Sequence, residues 1–492
     1  MNIWNTALWI GLGLASCVAC HRAAPPMPVQ PTPTAEQVEW HKLGAYALVH
    51  FSLSTFNGLD RGYGDTPASL FNPTNVDCDQ WARTVRAAGL KGIILTAKHH
   101  DGFCLWPTAT TEYSVKNSPW KEGKGDLVRE LSEACHKEGL KFGLYLSPWD
   151  RNNADYGYEG YVETFHAQIH ELITQYGPLF EFWFDGARGG EGWYGGAKEQ
   201  RTIDPKTYYQ FERARDSIKA YHPEAMIFGG SVPDIRWIGN EQGWAGDTQW
   251  SIFWPATMRP WPQFKQSIYG DENGLMWLGG ECDVSIRPSW FYRSQQDNQV
   301  KSVAHLVDLY YRSVGHNAAF LLNFPVSPEG RIHSLDSIRA VEWHQTLQND
   351  LKENLLRGCA VEASNDRGYG YRAKNAVDGD WDSYWATEDS VTTGSLTITL
   401  EQASEVNRLL LQEYIPLGQR VRKFEIEIGY KGQWTPAQAV DTTTTIGYKR
   451  IVRFPTQKAD QIRIHFFDAR GPLCISNVEA FLAPALASAP TP

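Results

Sequence analysis

Residues 78–101 read CDQWARTVRAAGLKGIILTAKHHD, and this stretch joins a helix, a buried strand and a polar cluster. Apolar residues recur every three or four positions from 78 to 88, which predicts an amphipathic helix. Residues 92–96 are apolar or β-branched without alternation, as is typical of a strand covered on both faces. Polar residues 99–101 follow at once, so potential chemistry lies at the carboxyl end of that strand.

The same alternation of apolar runs and helical patterns extends from about residue 40 to residue 345. Such alternation predicts a parallel sheet with helices on both faces. The length suits a (β/α)₈ TIM-like barrel over residues 37–350. A doubly wound open sheet is the alternative, but no GxGxxG motif follows an early strand. Further strands are predicted at 44–52, 142–146, 179–184 and 225–228, and further helices at 126–139, 162–175 and 208–221.

After about residue 355 the pattern changes to short alternating runs separated by turn residues. This pattern predicts an all-β, jelly-roll sandwich over residues 351–482. The Ala-, Pro- and Ser-rich residues 483–492 are predicted to be a disordered tail.

The amino terminus is typical of an export signal. A short apolar run ends in Leu14-Ala15-Ser16-Cys17, which resembles a bacterial lipoprotein signal. We therefore expect residues 1–17 to be the signal, with Cys17 as the lipidated residue and Cys20 as a weaker alternative. Residues 18–36 contain five Pro and are predicted to be a disordered spacer. The expected location is the bacterial periplasm or cell surface.

Composition narrows the class of partner. The net charge is −10 and no Lys/Arg-rich run occurs, which argues against nucleic acid. The 20 Trp, 22 Tyr and 21 Phe indicate either a large aromatic core or a sugar-binding surface. Outside the leader no CxxC pair occurs, so no zinc cluster is indicated. Cys359 and Cys474, near the ends of the second domain, are either a disulfide or two buried thiols.

Polar residues just beyond the carboxyl ends of barrel strands face the active site. Asp185 follows an apolar strand and precedes a Gly, as a buried nucleophile requires; the alternative is the N-cap of a helix. His99 and His100 are either ligands of a metal or hydrogen-bonding partners of sugar hydroxyls. His50 and Trp149 also lie at or just beyond the carboxyl ends of predicted strands.

Two carboxylates compete for the role of partner to Asp185. Glu241 lies in an Arg-Trp-Ile-Gly-Asn-Glu segment and Glu281 in a Gly-Gly-Glu-Cys-Asp segment. Retaining glycosidases hold two carboxyl groups about 5–5.5 Å apart and inverting ones hold them farther apart. Taken alone, these residues indicate a two-carboxylate hydrolase whose second member is undecided.

Several of these motifs, in the same order, resemble glycoside hydrolase family 29, the retaining α-L-fucosidases. Residues 281–292 resemble the branch that prefers α-1,3- and α-1,4-linked fucose. The resemblance spans roughly 270 residues. The matching pieces are His50-Phe51, Lys98-His99-His100-Asp101-Gly102-Phe103, Tyr145-Leu146-Ser147-Pro148-Trp149-Asp150-Arg151-Asn152, Trp183-Phe184-Asp185-Gly186 and Leu321-Leu322-Asn323.

The resemblance implies Asp185 as nucleophile and Glu241 as acid/base, with no cofactor for catalysis. Glu281 is the less favoured acid/base and is expected instead to pair with Arg287. The expected substrate is a fucosylated glycan. The residues implied to bind it are His50, His99, His100, Trp149 and Trp290, with Tyr63 in place of a Trp that many members carry.

The change at Tyr63 puts the sugar specificity in question. A related exo-glycosidase, such as a β-D-galactosidase, is therefore one alternative. A surface protein that binds glycans without turnover is another, and a metal-dependent hydrolase built on His99, His100 and Asp185 is a third.

The second domain resembles discoidin-like carbohydrate-binding modules, through Asn375-Ala376-Val377-Asp378-Gly379-Asp380 and Trp385-Ala386. Such modules often hold a structural Ca²⁺ in this loop. The implied ligands are Asp378, Asp380, Ser383 and Glu479. The alternative is a metal-free Asx-type turn.

Overall fold

Eight parallel strands close into a barrel in the amino-terminal part of the chain. The computed structural model describes residues 23–186, 188–255 and 264–484. Each barrel strand pairs with the next and the last pairs with the first, which confirms the TIM-like barrel and excludes the open doubly wound sheet. The strands are β1 Ala45–His50, β2 Gly92–Lys98, β3 Lys141–Leu146, β4 Leu179–Trp183, β5 Met226–Phe228, β6 Ile235–Trp237, β7 Gly279–Ser285 and β8 Ala318–Pro325.

Helices cover the outside of the barrel, with one gap in the repeat. Residues 229–234 connect β5 directly to β6 without a helix. Local signals set the helix ends: Asp126 accepts a hydrogen bond from the Arg129 N–H, and the same helix ends before Gly139. The helices are Ala35–Leu43, Leu53–Asn57, Cys78–Ala87, Leu127–Glu138, Glu159–Gln175, Phe211–Tyr221, Phe264–Ser267, Val303–Ser313 and Ser334–Asp350.

Aromatic side chains fill the inside of the barrel. Tyr46, Tyr145, Trp183 and Phe228 pack in one cluster with Trp40 of the first helix. The Trp183 ring stacks on Phe228 with 4.0 Å between ring centroids and on Tyr145 with 5.1 Å. The carboxyl end of the barrel therefore rests on a stack of rings with little room to move.

The second domain is antiparallel, as the alternating pattern predicts. Two strands of twenty residues, Gly394–Glu413 and Arg450–Ala469, lie next to each other at its centre. Register shifts interrupt their pairing, and such irregularities bend strands and increase their twist. The other strands are Ala360–Ala363, Trp385–Ala386, Val421–Tyr430, Gln433–Pro436 and Cys474–Phe481.

The six cysteines outside the leader are buried free thiols. The disulfide alternative for Cys359 and Cys474 is therefore wrong. Each sulfur lies instead near a backbone carbonyl of its own domain, Cys359 near Leu355 and Cys474 near Pro472. Burial raises the pKa of the Cys474 thiol to about 12, which keeps it protonated and unreactive.

The β domain packs against the amino-terminal ends of the barrel strands. Asn317, directly before β8, accepts a hydrogen bond from the Tyr448 N–H at 2.8 Å. Gln419 accepts from the Ser251 N–H and donates to the Gln249 carbonyl, both at 2.8 Å. An apolar cluster of barrel and sandwich residues lies beside these bonds: Trp250, Ile252, Trp277, Ile415 and Tyr448.

Residues 23–34 run along the β domain before the first helix, so the prediction of a disordered spacer is wrong for this part. Three buried or half-buried guanidinium groups donate to its carbonyls. The pairs are Arg367 with Ala24, Arg420 with Met27 and Arg470 with Gln30, at 2.6–2.8 Å. Proline favours this extended course because it fixes φ and needs no N–H partner.

Two predictions fall on parts of the chain that the structure does not describe. Cys17, Cys20 and the signal of residues 1–17 lie outside the described residues, as do residues 485–492 of the predicted tail. No helix within the described ranges is long and apolar enough to cross a bilayer.

Candidate active site

A cavity of about 630 Å³ opens at the carboxyl ends of the barrel strands, a volume in the range of small-molecule sites. Its deeper walls are buried side chains and its rim is exposed. The cavity thus has a closed end and an open end. It brings together most of the residues that the sequence predicts for the site: His50, His99, His100, Trp149, Asp185, Glu241 and Trp290.

Asp185 lies two residues beyond the end of β4 and lines the cavity. The Tyr145 hydroxyl donates to its Oδ2 at 2.6 Å, and His100 Nε2 lies 3.3 Å from the same oxygen. Burial opposes ionisation, but the His100 charge and the hydrogen bonds from His100 and Tyr145 keep the pKa of Asp185 below its usual value. The group is therefore held as a carboxylate and fixed in orientation.

Burial also raises the pKa of the Tyr145 phenol well above its usual value, so the phenol remains a donor to Asp185. The ring is fully buried and stacks on Trp183 and on His99, with 5.1 and 5.8 Å between ring centroids. This packing fixes the ring, and its hydroxyl donates to the carboxylate. Tyr145 thus positions Asp185.

His99 and His100 both line the cavity because β2 ends at Lys98 and the chain turns there. Adjacent residues on a strand would face opposite sides, but in this turn the two rings lie 4.4 Å apart. His100 Nδ1 is held by the Ser147 hydroxyl at 2.7 Å, whereas His99 Nδ1 has no partner. Burial lowers the pKa of His99 well below its usual value, so that ring is neutral.

His50, the last residue of β1, is oriented by Asn323 of β8. The Asn323 amide nitrogen donates to the Ser285 hydroxyl and the Trp290 carbonyl, so its oxygen accepts from His50 Nδ1 at 2.8 Å. Burial lowers the pKa of His50 to about 4. The neutral ring therefore offers the Nε2 lone pair as an acceptor.

The structure separates the two candidates for the second carboxylate. Glu241 lies in an exposed loop after β6, lines the cavity, and accepts from the Trp290 indole N–H at 3.3 Å. Glu281 is fully buried inside the barrel and is absent from the cavity wall. Of these two residues, only Glu241 can meet a molecule bound in the cavity.

Glu281 belongs to a buried acid pair below the cavity. Tyr46 donates to one of its oxygens and the Trp183 indole N–H donates to the other, the latter at 2.8 Å. Burial and the neighbouring Glu281 raise the pKa of Glu181 well above its usual value. The two carboxyl groups therefore cannot both be ionised, and they share one proton.

The predicted pairing of Glu281 with Arg287 is wrong. The Arg287 guanidinium is fully buried and donates through Nε to both oxygens of Asp336, at 3.0 and 2.7 Å. Its Nη1 donates to Asp297 at 2.7 Å. Arg287 follows the end of β7, and this places it outside the barrel interior where Glu281 lies.

Tyr63 is not among the residues that line the cavity. Its ring packs against the Arg151 guanidinium, with 5.0 Å to the ring centroid. The same loop contributes Asp60 and Arg61 to the cavity instead. Tyr63 therefore does not form part of the cavity wall, contrary to the prediction.

Comparison with known proteins identifies the family. The family model described as α-L-fucosidase matches residues 9–343, about two thirds of the chain. The chain belongs to the α-L-fucosidase family. It is 38% identical over 465 residues to "Putative alpha-L-fucosidase 1" of Oryza sativa subsp. japonica, covering 93% of this chain and 86% of that protein. A second family model, the F5/8 type C domain, matches residues 360–480.

Solved structures of this α-L-fucosidase family agree with the fold. A glycoside hydrolase 29 family member from an unknown rumen bacterium is 42% identical with a TM-score of 0.85, over 94% of this chain and 79% of that one. A Ruminococcus gnavus family 29 fucosidase, solved in complex with fucose, is 31% identical with a TM-score of 0.84. The match covers 94% of this chain and 97% of that one. The chain is thus a glycoside hydrolase, as its two carboxylates predict.

Sequence reasoning missed three residues of this fucosidase's cavity. Asp283 lines it and accepts from the Trp237 indole N–H at 2.7 Å. Burial and the nearby charge of Glu241 raise the pKa of Asp283 well above its usual value. Asp283 and Tyr145 could have been predicted from the strand pattern, because side chains of a strand point alternately to its two faces and both of these point into the barrel. Arg61, in an irregular loop, gave no such signal.

The F5/8 type C domain does not assemble the predicted calcium ligands. Asp378 accepts from the Asp380 N–H at 2.8 Å and from the Ser383 hydroxyl at 2.7 Å, so this loop satisfies itself as an Asx-type turn. The carboxylates of Asp378, Asp380 and Glu479 are not among the groups of described side chains whose ligand atoms lie within 4.8 Å of one another. Calcium at this loop stays a prediction.

Proposed function

We propose that this α-L-fucosidase is a retaining exo-enzyme that removes terminal L-fucose by double displacement. Asp185 attacks the anomeric carbon while Glu241 gives its proton to the departing glycosidic oxygen. A covalent fucosyl ester on Asp185 results. Glu241, now anionic, takes a proton from water as that water attacks the same carbon, which releases fucose and restores both carboxyl groups.

The observation that carries this proposal is the pairing of the two carboxylates in one cavity. Asp185 is held ionised by Tyr145 and His100, as a nucleophile requires, and Glu241 reaches the same space from the exposed side. A general acid on the open side meets the departing glycan rather than the enclosed sugar. The closed end of the cavity supports an exo mode of attack.

Neutral histidines support binding of the sugar hydroxyls. His50 and His99 are kept neutral by burial, and each can accept or donate without repelling a cationic transition state. Trp149 is fixed by its indole N–H, which donates to Tyr194 at 2.9 Å, and its ring forms part of the wall. Trp290 forms part of the wall beside His50, with 5.3 Å between ring centroids.

Trapping the ester tests the mechanism. Incubation with 2-deoxy-2-fluoro-fucosyl fluoride should add one fluorofucosyl group, which peptide mass spectrometry should locate on Asp185. Asp185→Ala should take up no label, whereas Asp216→Asn, an exposed acid on the helix Phe211–Tyr221, should label normally. Absence of labelling in an active enzyme, or a label on another residue, would refute the assignment.

The linkage preference is a separate proposal. Residues 281–292 support α-1,3 and α-1,4 linkages through their resemblance to one branch of the family. Relative rates on Lewis-type trisaccharides and on α-1,2- and α-1,6-linked fucosides test it. Because Tyr63 does not occupy the cavity, aryl β-D-galactosides are included, and a higher rate on them would replace fucose by galactose as the main substrate.

One observation favours a second candidate function. His99, His100 and Asp185 place their ligand atoms within 4.8 Å of one another, as a metal-dependent hydrolase would require. Activity that survives prolonged chelation would exclude it. Sugar affinity without any turnover would instead favour the glycan-binding protein.

Export and lipid anchoring at Cys17 are also proposals, supported by the Leu14-Ala15-Ser16-Cys17 run. Metabolic labelling with an alkyne fatty acid should mark the wild type. Cys17→Ser should lose the label, and Cys20→Ser should keep it. The reverse result would move the anchor to Cys20.

A further inference from the structure

Two cations at the rim of the cavity have no counter-charge. Arg61, in the loop after β1, and Lys206, in the connection after β4, both line the cavity and are exposed. Among the described residues no carboxylate lies within ion-pair distance of either side chain, and neither side chain makes a hydrogen bond. Both charges are therefore available to an anionic group of a ligand at the opening.

The carboxylates of the cavity are engaged elsewhere. Asp60 is paired with Arg293 at 3.1 Å. Asp283 is kept neutral because burial raises its pKa. Asp185 is held by His100 and Tyr145 in the deep part. Glu241, the remaining acid of the cavity, accepts from the Trp290 indole N–H at 3.3 Å. Among the described residues none of these four acids lies within ion-pair distance of Arg61 or Lys206, so both cations stay available to an anion.

The loop that carries Arg61 is fixed rather than loose. Arg151 donates to the carbonyl of Gly62, and the Asn152 amide donates to that of Gly64 at 2.7 Å. A Cβ at Gly62 would lie 2.7 Å from Asp101, and one at Gly64 would lie 2.5 Å from the Arg151 backbone, so the loop packs too closely for any other residue. The Arg61 backbone is therefore held in place before any ligand binds.

Because Arg61 and Lys206 lie at the rim of the cavity, they are expected to contact the departing part of the substrate. In an exo-enzyme the terminal sugar fills the closed end, so groups at the rim contact the glycan that leaves. We propose that Arg61 and Lys206 form an anion subsite for an acidic substituent on the glycan from which the fucose is released. Carboxylate and sulfate groups share the chemistry that an arginine and a lysine recognise. This inference rests on the proposed fucosidase function.

The test compares matched substrates in the full-length enzyme. A neutral fucosylated trisaccharide is compared with the same compound bearing a sulfate, and with one bearing a sialic acid, on the galactose. The readout is the ratio of kcat/KM for the acidic compound to that for the neutral one. For the wild type we expect at least one ratio above 1, falling as salt rises. Preference for the sulfate or for the carboxylate identifies the source of the anion.

The variant Arg61→Gln/Lys206→Gln should lower that ratio about tenfold, since each charge-assisted contact at an exposed site contributes a few-fold. The control Lys352→Gln/Lys374→Gln removes the same charge from exposed positions away from the cavity and should leave the ratio unchanged. Ratios of 1 or below for both acidic compounds, or an equal fall in the control, would overturn the subsite. Absence of fucose release from any substrate, including an aryl fucoside, would instead overturn the proposed function.

Discussion

Replacing Tyr145 with Phe removes a single hydroxyl group from the cavity. That hydroxyl donates to Asp185 Oδ2 at 2.6 Å, and the ring that carries it is packed between Trp183 and His99. Phe keeps the ring and its packing, so the variant isolates the hydrogen bond. The site should stay folded while Asp185 loses a donor that favours its ionised form.

The size of the effect follows from the strength of that bond. A hydrogen bond to a charged group contributes about 1.5–3 kcal/mol, and one pKa unit corresponds to about 1.4 kcal/mol. The donor favours the carboxylate, so its loss should raise the pKa of Asp185 by about one to two units. Activity should then be lost at a correspondingly higher pH as the solution is made more acidic.

The assay is the pH dependence of kcat/KM on an aryl fucoside, because its acidic limb reports the nucleophile of the free enzyme. Tyr311→Phe serves as the control. It removes a buried tyrosine hydroxyl that donates to Asp350 at 2.8 Å, away from the cavity. If the acidic limb of Tyr145→Phe coincides with that of wild type, the idea that Tyr145 sets the ionisation of Asp185 is refuted.

Three further predictions concern other groups. Glu241→Gln should lower kcat/KM, which reports the first displacement alone, about 10²–10⁴-fold on glycans that need a protonated leaving oxygen, and far less on aryl fucosides with acidic phenols; equal losses in kcat/KM would contradict its role as acid. Burial lowers the pKa of His41 to about 3, so this residue alone should lower stability by about 1.4 kcal/mol per pH unit as pH falls from 6.5 to about 3, in addition to the buried His50 and His99. Urea unfolding at pH 7 and pH 5 should show a fall in stability, and His41→Asn should reduce its slope by about that amount. Arg287→Met should cost about 3–5 kcal/mol because Asp336 is left buried without its partner, and the double variant with Asp336→Leu should recover much of it in the same urea assay.

Sequence reasoning succeeded where local pattern and tertiary packing agree. The buried strand at 92–96 and the amphipathic helix before it determine a repeating unit, and eight such strands leave few arrangements other than a barrel. Asp185 was predictable because a polar residue directly after an apolar strand of a barrel faces the active site. The same rule located His50, His99 and His100.

Prediction from the sequence failed where contacts between distant parts of the chain decide the position of a side chain. Glu241 and Glu281 both follow short apolar segments, and only the three-dimensional structure shows that one faces the cavity and the other lies inside the barrel. Tyr63 was predicted from a loop, and loops lack the periodicity that fixes the direction of a side chain. The proline-rich segment was predicted to be free because its arginine partners lie more than 300 residues away in sequence.

That segment also determines how the enzyme is presented. It lies on the β domain, which packs against the barrel end opposite the cavity, and it leads into the first helix at that same end. An enzyme held to any support by its amino terminus would therefore stand with its opening directed outward. Large, immobile glycans could then enter without any rotation of the protein. The hydrogen-bonded segment would limit how far the opening could tilt back toward the support.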